Sequence, residues 1–259
     1  MKYKNYIFDL YGTLIDVKTD EHSLDLWKKM ADIYACYGAV YKPKDMKRIF
    51  TRFEEEERVK VKNRTGCLVP EIKIEKVFIR LLVEAQGDNV RIPKNISTWA
   101  ELISNTFRTL SREEIRLFPD TISTLKKLRE KGCKVYLLSN AQAVFTRPEI
   151  SLMKLDDCFD KIYISSYYGV MKPDKRFLRR LIKSEGLEKS ETVYVGNDIG
   201  IDMKTAEEND IDAILLNNYD MSKREIKKQT EKAGLEHKFK TIDSIYKLIS
   251  LTSLVTIEV

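Results

Sequence analysis

The sequence predicts a doubly wound α/β core, a parallel sheet with helices on both faces, carrying an α-helical insertion. Two observations lead there. Short apolar runs alternate with helical stretches over the C-terminal half, and one further run, "NYIFDL" at 5–10, stands alone ahead of residues 19–115, which read as helix only. The C-terminal runs are "CKVYLLS" (133–139), "KIYIS" (161–165), "TVYVG" (192–196) and "DAILLN" (212–217), with helical stretches near 120–131, 144–154, 174–185 and 200–209 between them. Strand alternating with helix requires crossover connections, hence a parallel sheet covered on both faces.

Residues 19–115 contain little β-branched alternation and are broken by Gly and Pro. Helices are predicted over 20–37, ending before Gly38; 43–60, opening at Pro43; 70–86, opening at Pro70 and ending before Gly87; and 94–109. Leu24, Trp27, Met30, Ala31 and Tyr34 recur at helical spacing and mark one buried stripe. The expected division is therefore a core of 1–17 and 112–259 with a helical insertion at 18–111.

Composition narrows the function. With 259 residues and 43% apolar side chains the chain can fill a sizeable core. No run approaches the roughly 20 apolar residues that cross a bilayer, and the N-terminal apolar run is too short for a signal peptide, so a cytoplasmic protein without a membrane partner is expected. The four cysteines (Cys36, Cys67, Cys133, Cys158) show neither disulfide nor zinc spacing and are expected to be reduced and mostly buried. The net charge of +6 is spread among interspersed acids, which argues against nucleic acid. The densest basic stretch, 222–240, reads as a solvated helix face, and His22 and His237 as surface residues. Nothing in the sequence assigns an oligomeric state.

In an open parallel sheet ligands bind beyond the carboxyl ends of the strands. Those ends are polar here: Asp9 closes the first strand, Ser139 and Asn140 the second, "GVMKPD" with Lys172 follows the third, and "VGNDIGID" with Asp198 and Asp202 follows the fourth. A carboxylate ending a buried strand costs several kcal/mol unless a cation or strong donors meet it. Carboxylates, a hydroxyl and an ammonium can together neutralise a phosphoryl group, hold a hard divalent cation and present a carboxylate nucleophile.

In "FDLYGTL" (8–14), "LLSN" (137–140), the lysine of "MKPD" (171–174) and "GNDIGID" (196–202), taken in order and spacing, the chain resembles the haloacid dehalogenase superfamily of hydrolases, whose Rossmann-like core carries a helical cap after its first strand. The resemblance covers nearly the whole chain. It implies that Asp9 attacks the substrate to form a covalent aspartyl intermediate and that Thr13 and Ser139 donate hydrogen bonds near the transferring group. It further implies that Lys172 offsets negative charge and that Tyr11, Gly12 and Asn140 line the substrate site. In the phosphatase branch it implies Mg2+ on Asp9, the Tyr11 carbonyl and Asp198, with Asp202 supporting metal-bound water or Lys172, and a small phosphorylated metabolite as substrate.

Position 11 departs from the phosphatase pattern, which has a second aspartate there as general acid and base. A phenol with an ordinary pKa near 10 is a poor base at neutral pH. Hydrolytic 2-haloacid dehalogenases resemble this motif more closely, since they read D-x-Y-G-T and expel a halide that needs no proton. Their fourth motif lacks a metal carboxylate, however, and they hold the substrate carboxylate with an arginine where "LWKKM" offers Lys28. Asp198 beside Asp9 would repel it in a metal-free site, whereas Tyr11 reads simply as an aromatic plug between core and cap. A Mg2+-dependent phosphatase is the expectation, with a metal-independent 2-haloacid dehalogenase and a catalytically reduced binding protein as alternatives.

Overall fold

A computed structural model describes residues 2–87 and 89–250; position 88 of the insertion and 251–259 of the predicted core lie outside the described residues. The chain runs β1 (Asn5–Phe8), β2 (Ile15–Thr19), α1 (Leu24–Ala35), α2 (Pro43–Thr65), α3 (Ile74–Val83), α4 (Ile96–Ser111), β3 (Arg112–Leu117) and α5 (Thr121–Glu130). It continues through β4 (Lys134–Ser139), α6 (Ala143–Leu152), β5 (Lys161–Ile164), α7 (Ser165–Tyr168), α8 (Lys175–Glu185), β6 (Thr192–Gly196), α9 (Lys204–Glu207), β7 (Asp212–Leu216), α10 (Lys223–Ala233) and β8 (Lys240–Ile242).

Six strands form a parallel sheet in the order β5-β4-β1-β6-β7-β8. The two-residue period of a strand splits its side chains between the two faces. Phe8, Leu137, Val195 and Ile214 enter one apolar layer, and their chain neighbours Ile7, Leu138, Tyr194 and Leu215 enter the other. Because β1 is flanked by β4 and β6, the carboxyl ends of these three strands share one rim, where the connection from β1 leads to the β4 side of the sheet and that from β6 to the β7 side.

The helical block packs α1 on α2 and α4, and α3 on α2 and α4. Its centre is aromatic: Trp27, Phe50, Phe78 and Phe107 stand with ring centroids 5.0 to 5.7 Å apart. Each such ring contributes about 1.5–3 kcal/mol on full burial, which explains why a block with no sheet of its own holds together.

Several elements depart from the sequence reading. Helix α2 runs to Thr65 and stops where Gly66 adopts φ 62°, and α3 begins at Ile74 rather than 70. Between them the chain docks on the core: Met171 N donates to Val69 O at 2.9 Å and Leu68 N to Asp174 Oδ2 at 2.9 Å. The antiparallel ribbon β2–β3 and the short edge strand β8 are absent from the prediction. Asp120 takes the N-cap position of α5 but its side chain makes no capping bond, whereas Asp174 caps α8 as its place after Pro173 suggests. Helix α10 buries no residue, in keeping with a solvated face. Three cysteines are buried and Cys36 is exposed, none of them in a disulfide. Among the described residues no helix is long and apolar enough to cross a membrane.

Candidate active site

Asp9 lies one residue past β1, with 7% of its surface exposed. Lys172, from the loop after α7, is 2% exposed, and its Nζ donates to Asp9 Oδ1 at 2.6 Å, Asp202 Oδ1 at 2.8 Å and Tyr194 OH at 2.9 Å. All three ammonium donors are thus satisfied within the protein. Burial alone would pull the ammonium down, but Asp202 and Asp9 hold its pKa well above the ordinary value. Burial pushes the Asp9 carboxyl up to about 6 against the opposing charge of Lys172, and Asp202 adds to the rise.

Asn140 fixes the lysine's backbone: its Nδ2 donates to Lys172 O at 2.9 Å and its Oδ1 accepts from Lys172 N at 2.8 Å. This amide, expected at the substrate, therefore positions the ammonium. Ser139 Oγ is buried at the end of β4 and has no protein partner. An unsatisfied buried hydroxyl costs about 1–3 kcal/mol. Thr13 Oγ1 stands 3.2 Å from Asp9 Oδ2 and 3.1 Å from Asn197 Oδ1.

The fourth strand end is arranged differently from the expectation. After β6 the chain forms a π-turn, Ile199–Met203, in which Asp198 is the N-cap and its Oδ1 accepts from Ile201 N at 2.9 Å. Asp198 is exposed and lines an open cleft of about 630 Å³ with Lys228 and Lys232 of α10. Its carboxylate forms no hydrogen bond or ion pair with Lys172 or Thr13. Asn197 takes the inward position: an added Cβ on Gly12 would lie 2.5 Å from Asn197 Nδ2. Asp202 is buried and both its oxygens are committed, Oδ1 to Lys172 and Tyr194 and Oδ2 to the amides of Asn197 (3.1 Å) and Asp198 (3.0 Å). Among the described residues no three His, Cys, Asp or Glu side chains gather as a metal set. Of the Mg2+ site of Asp9, Tyr11, Asp198 and Asp202 read from the sequence, Asp9 and Asp202 meet on the Lys172 ammonium and Asp198 turns away from them. The cause is the capping role of Asp198 and the pairing of Asp202.

Gly12 is essential to this geometry. Its φ of 83° disfavours any side chain, and a Cβ would strike Asn197. Gly12→Ala should cost about 1–3 kcal/mol and displace Thr13 from Asp9; thermal unfolding and turnover check this, and unchanged values for both would contradict it.

Tyr11 is anchored within the core by its hydroxyl, and Arg108 is what brings the helical block to it. The hydroxyl donates to Glu149 of α6 and lies 3.3 Å from Thr146 Oγ1. Glu149, 1% exposed, also accepts from Arg108 Nε of α4 at 2.7 Å and from Arg112 at 2.9 Å, and the Arg108 guanidinium lies 5.6 Å from the Tyr11 ring centroid. Burial works to raise the Glu149 carboxyl, but Arg108 above all holds it below its ordinary value. Burial and that carboxylate push the Tyr11 phenol far above its own. Lys28, by contrast, is exposed on α1. Sequence reasoning missed Arg108, Glu149, Asn197 and Tyr194. The available signal was Glu149, a carboxylate on the same helical stripe as Thr146 and Ile150.

The family model for haloacid dehalogenase-like hydrolases matches residues 3–210. The chain belongs to that family. A glyceraldehyde 3-phosphate phosphatase of Methanocaldococcus jannaschii is 29% identical over 103 residues, 40% of this chain and 45% of that one. The chain spans about half the length of the curated relatives it matches. The fold of this haloacid dehalogenase-like hydrolase is also that of a HAD phosphatase from Thermococcus onnurineus, with TM-score 0.59, 18% identity and 95% and 96% of the two chains covered. It is shared too with the L-2-haloacid dehalogenase of Xanthobacter autotrophicus bearing covalently bound chloropropionic acid, with TM-score 0.54, 15% identity and 96% and 98% covered.

Proposed function

We propose that the chain is a phosphohydrolase of small phosphorylated metabolites, working through an aspartyl-phosphate on Asp9. The observation that carries this reading is the buried Asp9–Lys172 pair at 2.6 Å, in a family member whose curated relatives include phosphatases. With Oδ1 held by Lys172, Oδ2 is the oxygen that attacks phosphorus; the P–O bond to the leaving group breaks, and water then cleaves the acyl phosphate. Lys172 and the hydroxyls of Thr13 and Ser139 offset the charge that develops on the transferring oxygens. Residues 18–111 act as the cap, a role supported by Arg108 reaching Glu149 beside Tyr11 and by the docking of 66–72 on the core.

The Tyr11 hydroxyl is committed to Glu149 and does not serve as general acid, so substrates with good leaving groups, aryl or acyl phosphates, are favoured. General acid help is worth roughly 10²–10⁴ in rate. The donor set does not gather the Mg2+ that the family resemblance implies. A second reading, 2-haloacid dehalogenase, is favoured by Tyr11 together with Asn197. A panel measuring inorganic phosphate from aryl, acyl and alkyl phosphates and chloride from 2-chloropropionate separates them. Phosphate release, fastest from aryl or acyl esters, is the expected result; chloride release alone would replace this reading with the second.

A further inference from the structure

We infer that the nucleophilic centre works without a divalent cation, Lys172 supplying its fixed positive charge and Asn197 standing where a second inward carboxylate would be needed. The inference rests on Asp9 being the nucleophile. A hard dication draws its oxygens chiefly from carboxylates presented together. Here Asp9 has Oδ1 occupied by the ammonium. Asp202 spends Oδ1 on Lys172 and Tyr194 and Oδ2 on two backbone amides. Asp198 caps the π-turn and faces the α10 cleft. What meets the nucleophile loop from β6 is a neutral amide, wedged against Gly12 and joined to Asp9 through Thr13 Oγ1.

The charge balance agrees. Two buried carboxylates against one buried ammonium leave a single net negative charge; an aspartate at 197 would add a second and make a dication necessary to admit an anionic substrate. With the amide, Lys172 alone sustains Asp9 as an ion.

The test titrates the 259-residue chain with MgCl2 by calorimetry, for the wild type, Asn197→Asp and Asp9→Asn, and records melting temperatures in Mg2+ and in excess chelator. The wild type should show no saturable binding and the same melting temperature in both, while Asn197→Asp should bind Mg2+ saturably and melt at a higher temperature in Mg2+ than in chelator. Saturable binding by the wild type that Asp9→Asn abolishes overturns the inference, as does a wild-type melting temperature raised by Mg2+ and not raised in Asp9→Asn. If Asn197→Asp fails to fold, the wild-type titration and melting curves decide alone. Phosphate release in chelator keeps the two readings distinct: release that requires Mg2+ overturns this inference and leaves the phosphohydrolase standing. No release under either condition removes the phosphohydrolase, and the titration still decides the metal.

Discussion

Lys172→Met should destabilise the protein by about 3–5 kcal/mol and lower turnover on the order of 10²–10³-fold. Methionine roughly fills the volume but leaves two buried carboxylates, Asp9 and Asp202, facing each other without their shared cation. Burial and Asp202 both raise the Asp9 pKa, and Lys172 is the charge that opposes them. Its removal should therefore carry the ascending limb of the pH–rate profile to higher pH. The sign of the stability effect follows. A carboxyl raised in the fold is stabilising only while protonated, so the deficit of the variant should shrink at acid pH and grow as pH rises through the folded-state pKa. Urea unfolding across pH, with turnover measured in parallel, checks both. A deficit that does not depend on pH would mean that packing alone, and not charge, is at stake.

Asp9→Asn should reduce turnover by at least about 10³-fold, the scale of losing a covalent nucleophile, and yet leave the fold intact. The amide keeps the shape and the contact with Thr13, while the ammonium retains Asp202 and Tyr194. One buried charge disappears, so the melting temperature should match the wild type or exceed it. The contrast between the two variants is the informative part: one loses activity and stability together, the other activity alone. An Asp9→Asn variant with appreciable turnover would remove the nucleophile from the account.

The fold was legible where residue type and period agreed. The strands near 133–139, 192–196 and 212–217 are built on β-branched, aromatic and leucine residues at 135–138, 192–195 and 214–216, and runs of that kind separated by helices left little alternative to a parallel sheet buried on both faces. The ribbon was not legible, because "IDVKT" and "REEIRL" alternate charged with apolar residues and are half exposed; pairing with each other across 92 intervening residues defines them, and no local pattern carries that. In the site, Asp9 and Lys172 could be read because a charge buried at the end of an apolar strand is too costly to persist unless a partner or a ligand meets it. The choice between Asn197 and Asp198 could not, since adjacent residues share one motif and only the π-turn decides which faces inward. Glu149 escaped for a related reason: its arginines lie 37 and 41 positions away.

The central claim is that Asp9 carries the transferring group covalently, and rapid acid quench during turnover of an aryl phosphate, followed by mass analysis of the peptide spanning residues 5–18, tests it most directly. A phosphoryl adduct on Asp9 that forms and decays at rates consistent with turnover is the predicted result. Full turnover with that peptide unmodified at every time, or with the label on another residue, would contradict it.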